Sequence, residues 1–477
     1  MNGRTSSLAG PYIERIRNFY DAAPTESTWF GRFYRTLLAK YYRYLIPADA
    51  SILEIGCGSG ELLSLLPNRD IAGIDVSSRQ IAAARCRLPH GHFVESAAET
   101  LNADAGLNRT FDYIVLSETV NFIPDVQAAL EKLHEFAGSH TRVVLNFYNT
   151  VWYPVLRLAT SLGLKSRQPK TNWLSSSDLR GLLDLANWEF IRQEERIICP
   201  VPLLGFERLL NRFVAPLVPF LSLTIFQVAR PRVVRELPAQ SVSVIVPARN
   251  EAGNIEGAIE RIPMMGSKTE IIFIEGNSKD DTWARIQDGV SQNTNLNIRA
   301  LQQTGTGKGN AVREAFAAAT GDILMILDAD LTVPPEELPK FYQALVSGRT
   351  EFANGVRLVY PMDDRAMRFL NMCANKFFSM AFTWVLGQPV KDTLCGTKVL
   401  FRRDYVRIAA NRKVFGDFDP FGDFDLLFGA RRLNLKISDI PIRYRERTYG
   451  ETNIHRWTHG MLLLRMLGFS LLRLKMI

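Results

Sequence analysis

The sequence predicts two consecutive α/β domains, each built around a parallel sheet, and three observations predict it. Apolar strand-like runs followed by Gly- or Asn-rich turns and helical stretches begin twice, at Ser51 and at Ser241. Each start continues as alternating short apolar runs and amphipathic segments, the pattern of strands joined by crossover helices. Between them, residues Arg230 to Pro238 form a charged stretch bracketed by prolines, which reads as a linker. A chain of 477 residues also exceeds what one hydrophobic core usually serves. The expected boundary lies near residue 236, with domains over 1–235 and 236–477.

Composition narrows the function classes. With 47% hydrophobic and 22% charged residues the chain is neither disordered nor fibrous. A net charge of +8 suits anionic partners such as nucleotides, lipid phosphates or an acidic membrane surface. No RNA-binding or zinc-finger pattern accompanies that charge, so nucleic acid is not an expected partner. Five cysteines form no CxxC pair, and the odd number argues against a disulfide framework. Together with a polar N-terminus lacking an apolar signal core, this predicts a cytoplasmic chain. The uncharged stretch between Arg212 and Arg230, about seventeen residues, is close to the lower limit for a membrane span. It carries Pro216 and Pro219 and ends in strand-like residues, so it reads as buried or surface-associated.

The first domain opens with Ile52-Leu-Glu54-Ile-Gly56-Cys57-Gly58-Ser59-Gly60, placed between a strand and a helical stretch. Glycines there let the backbone turn sharply and approach a ligand where side chains would collide. A second strand ends in Asp75, positioned to accept hydrogen bonds from ribose hydroxyls. Glycines at 56, 58 and 60 depart from the GxGxxG spacing of dinucleotide sites. With the Phe111–Glu118 strand, this region, roughly residues 48–150, resembles a class I S-adenosylmethionine-dependent methyltransferase, with Thr224–Pro231 as a closing strand. The resemblance implies a Rossmann-like domain binding S-adenosylmethionine through Glu54, Gly56, Gly58, Gly60, Asp75, Val76, Glu99 and Ser117. At the adenine position Ala97 stands where the family usually has Asp. Methyl transfer needs alignment more than a dedicated side chain, so no catalytic residue is singled out there. A non-catalytic module that binds the cofactor or docks a partner is the alternative for this half.

The second domain carries four ordered motifs. Pro247-Ala248-Arg-Asn250-Glu251 follows a buried strand, and Glu275-Gly-Asn-Ser278-Lys-Asp280 follows the next. Gly307-Lys308-Gly309-Asn310 opens a helix, and a hydrophobic run ends in Asp328-Ala-Asp330. Two carboxylates at i and i+2 after a strand sit where open α/β sheets bind ligands. There they suit a hard divalent cation, Mg²⁺ or Mn²⁺, bridging to diphosphate oxygens.

Residues 241–450 resemble a family 2 inverting glycosyltransferase of GT-A fold, most like the dolichol- or polyprenyl-phosphate sugar synthases. The resemblance implies a nucleotide-sugar donor bound by Pro247, Ala248, Asn250, Glu251, Glu275, Asp280, Lys308 and Asp328, with metal on Asp328 and Asp330. Gly276 replaces the second acid of the family's DDGSxDxT element. The Asp392–Lys398 segment is similar to the acceptor element of these synthases, with Cys395 for the usual Ser. Catalytic candidates are Asp392 and, as general base, Asp425 or Asp423. Arg447 has the fork geometry for phosphate, while Asn453 replaces the family's Lys. The expected acceptor is polyprenyl phosphate, with a glycan or lipid-linked intermediate as the alternative. The apolar C-terminal stretch from Gly460, with Arg465, Arg473 and Lys475, reads as a packed or an interfacial helix, compatible with peripheral contact on the cytosolic membrane face.

Overall fold

The computed structural model describes residues 9–101, 107–163, 165, 168–169, 172, 174–232, 237–357, 369–412, 424–445, 447, 449 and 456–477. Asp423, Thr452 and Asn453 lie outside the described residues. The chain divides into two compact units, 1–232 with 476–477, and 233–475.

The first unit holds a seven-stranded sheet. Its strands are β1 (Ile52–Ile55), β2 (Ile71–Asp75), β3 (His92–Glu95), β4 (Phe111–Ser117), β5 (Ala137–Tyr148), β6 (Trp188–Arg196) and β7 (Thr224–Pro231). Their order is β3-β2-β1-β4-β5-β7-β6. Strand β1 is buried on both faces, as a central parallel strand is, with the carboxyl of Glu54 enclosed among its apolar residues. The sheet is mixed rather than parallel, because β7 runs antiparallel to both β5 and β6. Strands β6 and β7 are consecutive and adjacent, so their connection need not cross the sheet and antiparallel pairing costs no crossover. The helix Trp29–Leu45 buries Leu38, Tyr41, Tyr42 and Leu45, and the Tyr42 hydroxyl donates to Asn146 Oδ1 of β5 at 2.6 Å.

The second unit also carries seven strands. They are β8 (Val242–Ala248), β9 (Thr269–Glu275), β10 (Asn297–Gln302), β11 (Ile323–Ile326), β12 (Phe352–Val356), β13 (Lys398–Phe401) and β14 (Ile437–Pro441). The order is β10-β9-β8-β11-β13-β12-β14. Strands β10, β9, β8 and β11 are parallel, whereas β13 is antiparallel to β11 and β12. The expected parallel βαβ units form four strands of this sheet, and the sheet as a whole is mixed because an inserted antiparallel strand leaves no mark in strand–helix alternation.

The two sheets share a device at the amino edge of their central strand pairs. Ser51 donates through its backbone N and Oγ to Asp112 Oδ2 at 2.9 and 2.8 Å, and Asp112 N donates back to Ser51 Oγ at 2.9 Å. Ser241 N and Oγ donate to Asp322 Oδ2 at 3.0 and 2.6 Å, and Asp322 N returns a bond to Ser241 Oγ at 3.0 Å.

Among the described residues no helix is long and apolar enough to cross a membrane. The uncharged segment before Arg230 splits in two. Phe213, Leu217, Phe220 and Leu221 are exposed, and β7 is buried. In the C-terminal helix Arg456–Ser470, Leu463 and Met466 are buried while Met461 and Leu464 are exposed. Its apolar residues therefore face both ways.

Candidate functional sites

In the first unit, the turn after β1 is made of left-handed glycines, with φ of 70° at Gly56, 51° at Gly58 and 71° at Gly60. Other residues are strained in that region of φ. A Cβ on Gly56 would stand 2.4 Å from Thr119, so close packing as well as φ demands glycine there. Gly58 faces open space. Its N–H donates to Asp75 Oδ2 at 2.9 Å, and Ser77 N donates to Asp75 Oδ1 at 2.9 Å. Burial still raises the Asp75 carboxyl above its ordinary range despite these bonds. The glycine turn is thus tied to the end of β2.

These elements border a cavity of about 1360 Å³. Gly56, Gly58, Asp75, Val76, Glu99 and Ser117 line it; Glu54 and Gly60 stand behind the lining. Glu54 is 1% exposed, and its Oε2 has no hydrogen-bond partner. Burial pushes its carboxyl up to about 8, against the charge of Arg35. Glu118, with φ of 58°, ends β4 on the cavity wall, and its Oε1 is buried without a partner. Tyr20, Tyr34 and Tyr148 also line the cavity, and the rings of Tyr34 and Tyr148 stack at 6.3 Å. Burial, then the charge of Glu118, raises the Tyr34 and Tyr148 hydroxyls well above their usual range. The Arg35 guanidinium lies 3.0 Å from Glu61. Arg35 and Tyr34 escaped the sequence reading, because nothing in the helical pattern of residues 29–45 marks which side faces a ligand.

In the second unit, the loops after β8 and β9 are stitched together. Asn250, in the left-handed region with φ of 57°, donates its N–H to Ser278 Oγ at 3.0 Å and accepts from Lys279 N at 2.8 Å. Glu251 N donates to Thr282 Oγ1 at 2.9 Å. Asp280 accepts from Thr282 N at 3.1 Å and Ala252 N at 3.3 Å, so it secures the loops to each other. Glu275 is buried at the end of β9 and accepts from Ser278 N. Pro247 and Ala248 end β8, paired with Ile274 and Glu275.

The carboxylate pair follows β11. Asp328 Oδ1 lies 2.6 Å from Lys308 Nζ, on the first residue of the helix Lys308–Ala318. Burial opposes its ionisation, yet Lys308, Lys398 and Arg357 together hold the carboxyl below its usual range. Asp330 Oδ1 accepts from Thr332 N at 3.1 Å and Thr332 Oγ1 at 2.8 Å, and its Oδ2 lies 2.6 Å from Arg447 Nη2. Arg447 Nη1 also reaches Glu251 Oε1 at 3.4 Å. Burial pushes the Glu251 carboxyl up, aided by the charges of Asp330 and Asp328. Gly396 closes on this group so tightly that an added Cβ would stand 2.2 Å from Asp328 Oδ2 and 2.6 Å from Lys308 Nζ. The structure thereby brings Glu251, Lys308, Asp328, Asp330 and Arg447 together.

Asp392 is held by a different arginine. It is fully buried in a fork-to-fork pair with Arg357, Nε to Oδ2 at 2.7 Å and Nη2 to Oδ1 at 2.9 Å. It also accepts from Leu394 N and Cys395 N. Such a partner set describes an anchor for the 392–398 turn rather than a free base. Asp425, in the helix Phe424–Arg432, is 7% exposed and accepts from Arg412 Nε at 3.0 Å. Among the described residues no cluster of three or more His, Cys, Asp or Glu side chains forms a metal cage.

Residues 243–408 match the model of glycosyl transferase family 2, and residues 30–193 match a methyltransferase domain model. A dolichol-phosphate mannosyltransferase of Pyrococcus furiosus is 37% identical over 120 residues, 25% of this chain and 33% of the relative. An undecaprenyl-phosphate 4-deoxy-4-formamido-L-arabinose transferase of Enterobacter sp. is 25% identical over 215 residues, 44% of this chain and 62% of the relative. The chain thus spans less than two thirds of the length of these curated relatives. Among solved structures, a glucosyl-3-phosphoglycerate synthase from Mycobacterium tuberculosis, in complex with Mn²⁺, uridine diphosphate and glucosyl-3-phosphoglycerate, is similar at 22% identity and a TM-score of 0.37, covering 49% of this chain and 80% of that one. A SAM-dependent methyltransferase from Thermotoga maritima is similar at 16% identity and a TM-score of 0.34, covering 46% and 99%. The chain thus carries two domain matches in series, to a methyltransferase domain over residues 30–193 and to glycosyl transferase family 2 over residues 243–408.

Proposed function

We propose that the second unit moves a sugar, with inversion, from a nucleoside-diphosphate donor to polyprenyl phosphate. We further propose that the first unit moves a methyl group from S-adenosylmethionine to an acceptor of the same pathway, with the division between the two near residue 236. The observation that carries the first part is the Asp328–Asp330 pair at the carboxyl end of β11, flanked by Lys308 and Arg447.

The pair fits a divalent cation by its chemistry: two carboxylates after a strand offer the oxygen ligands that a hard cation takes. When bound there, Mg²⁺ or Mn²⁺ supplies charge neutralisation for the departing diphosphate. Lys308 keeps Asp328 ionised, and the Arg447 guanidinium presents a fork between Asp330 and Glu251 that suits phosphate oxygens. Asn250, Glu275 and Asp280 fix the two loops that receive the nucleoside. A phosphate acceptor is already ionised and needs positioning more than a base. Asp425, paired with Arg412, then serves as base only for a hydroxyl acceptor. The names of the two curated relatives, acting on dolichol phosphate and undecaprenyl phosphate, support a lipid phosphate here.

For S-adenosylmethionine, the fit rests on the Gly58 backbone facing open space beside Asp75, and on the unpartnered Oε atoms of Glu54 and Glu118. The cofactor would bring an electrophilic methyl group. The chain's own part is to hold it with the glycine turn and Asp75 and to shield the reacting centre within the cavity.

The test is transfer from labelled nucleotide sugars to polyprenyl phosphate in detergent with Mn²⁺, counting label in the organic phase. Metal-dependent label, lost in Asp330→Asn, is the expected result. Donor hydrolysis with no lipid label would move the acceptor to a glycan, and undiminished transfer by Asp330→Asn would overturn the metal assignment.

A further inference from the structure

We propose that the mouth of the cavity in the methyltransferase unit docks on an anionic lipid surface, so that its methyl acceptor is an amphiphile drawn from the bilayer; this rests on the methyl-transfer reading above. Three independent observations carry it.

The cavity is amphipathic. Its volume of about 1360 Å³ exceeds the roughly 300–1,000 Å³ of ordinary small-molecule pockets. Its lining joins Asp75, Glu118 and the tyrosines to apolar residues, among them Phe30, Val155, Leu156, Val201 and Leu203. A compact polar acceptor has no use for so much apolar lining.

The apolar wall continues onto the surface. Val155, Val201 and Leu203 line the cavity and are 52%, 39% and 46% exposed. Beyond them, along residues 151–162 and 201–221, Leu158, Leu162, Phe206, Leu209, Leu217 and Phe220 are exposed as well. Single exposed apolar residues are ordinary, but two such segments meeting at one opening form a patch that marks an interaction site. The tip is built. Leu204 and Gly205 turn through the left-handed region, with φ of 52° and 96°, which leaves Leu204 fully exposed. The buried carboxylate of Glu207 fixes the turn by accepting from Leu203 N at 2.8 Å and Gly205 N at 2.9 Å.

Within the two segments the exposed charge has one sign, although the exposed Glu26 also lines the cavity. Arg157, Arg208 and Arg212 are exposed, and the only acid in the two segments, Glu207, is buried. Cations around an apolar tip match a surface of anionic headgroups over acyl chains.

The experiment is flotation of the full chain with vesicles of phosphatidylcholine and phosphatidylglycerol at 70:30, and with phosphatidylcholine alone. Binding should favour the anionic vesicles at least tenfold. Leu204→Glu with Phe213→Glu should lower it tenfold or more, and Arg208→Glu with Arg212→Glu should remove the anionic preference. Orientation is read separately, with vesicles carrying brominated acyl chains. These should quench tryptophan fluorescence in the parent and much less in Trp29→Phe with Trp152→Phe, since Trp152 lines the cavity and Trp29 packs edge-on to Phe30. Flotation without quenching would place the membrane contact elsewhere and overturn the proposal, as would no flotation. A patch that instead joins two copies would show as Leu204→Glu converting a dimer to a monomer with vesicle binding unchanged, which also overturns it. S-adenosylmethionine affinity, measured by calorimetry without vesicles, tests the methyl-transfer reading on its own.

Discussion

Arg447 reaches back 117 residues to hold Asp330, with Nη2 placed 2.6 Å from Oδ2. Its other nitrogen faces Glu251, so one guanidinium joins the loop after β8 to the carboxylate pair after β11. Arg447→Lys keeps the charge and loses the fork. Sugar transfer should fall about tenfold or more in kcat/KM, with the loss in KM for the phosphate-bearing substrates if Arg447 binds their oxygens. Steady-state kinetics with each substrate varied in turn checks it.

Lys308→Met removes the cation nearest Asp328. The Asp328 carboxyl, now held below its usual range, should then rise toward it, because burial alone disfavours its charge. The ionised form is the one that binds a divalent cation, so the acid limb of the pH–rate profile should move to higher pH. An unmoved acid limb would show that Lys308 does not tune Asp328.

Gly396→Ala tests packing in the same site. The new methyl would stand 2.2 Å from Asp328 Oδ2 and 2.6 Å from Lys308 Nζ, and one of them must move. Transfer should fall on the order of 100-fold, since small misplacements of this kind are costly. Far-UV circular dichroism should stay unchanged, which separates a displaced site from a lost fold.

Arg357→Met strips the fully buried Asp392 of its bidentate partner. Leaving an uncompensated buried charge typically costs about 3–5 kcal/mol. Denaturant unfolding should register a loss of that order, largely restored by adding Asp392→Asn. No rescue by the double variant would assign the loss to packing of the arginine stem.

Glu54→Gln carries a signed pH dependence. The Glu54 carboxyl is pushed up to about 8 in the folded chain, above its unfolded value of about 4.3. Its contribution to stability is therefore full below that unfolded value and is lost as pH rises toward 8. Glutamine has no charge to bury, so the variant should match the parent at about pH 4 and melt higher by pH 8. The relative gain is on the order of a few kcal/mol. Parallel melting curves at all pH values would sink the idea.

The strand ends and their turns were legible because local chemistry writes them. Gly56, Gly58 and Gly60 sit where φ is positive, Asp75 and Asp328 close buried strands, and Lys308 opens its helix. Tertiary juxtaposition was not legible. Arg357 pairs with Asp392 from 35 residues away, and Arg35 faces the first site from a helix whose sequence marks no such side. Strand β7 was legible as the closing strand Thr224–Pro231, but its antiparallel direction and that of β13 were not: pairing direction depends on how the chain returns to a sheet, and apolar runs look alike in either direction.

The paired serine–aspartate clasps at Ser51–Asp112 and Ser241–Asp322 have a bearing on how such a chain can change over time. A one-residue slip of a strand would turn every side chain to the wrong face, and these reciprocal bonds guard against it at the edge of each sheet remote from the chemistry. The loops at the opposite edge are free to acquire, trade or lose residues without disturbing strand alignment. Both sheets thus divide their labour, with strand alignment held at one rim and the candidate site residues placed at the other.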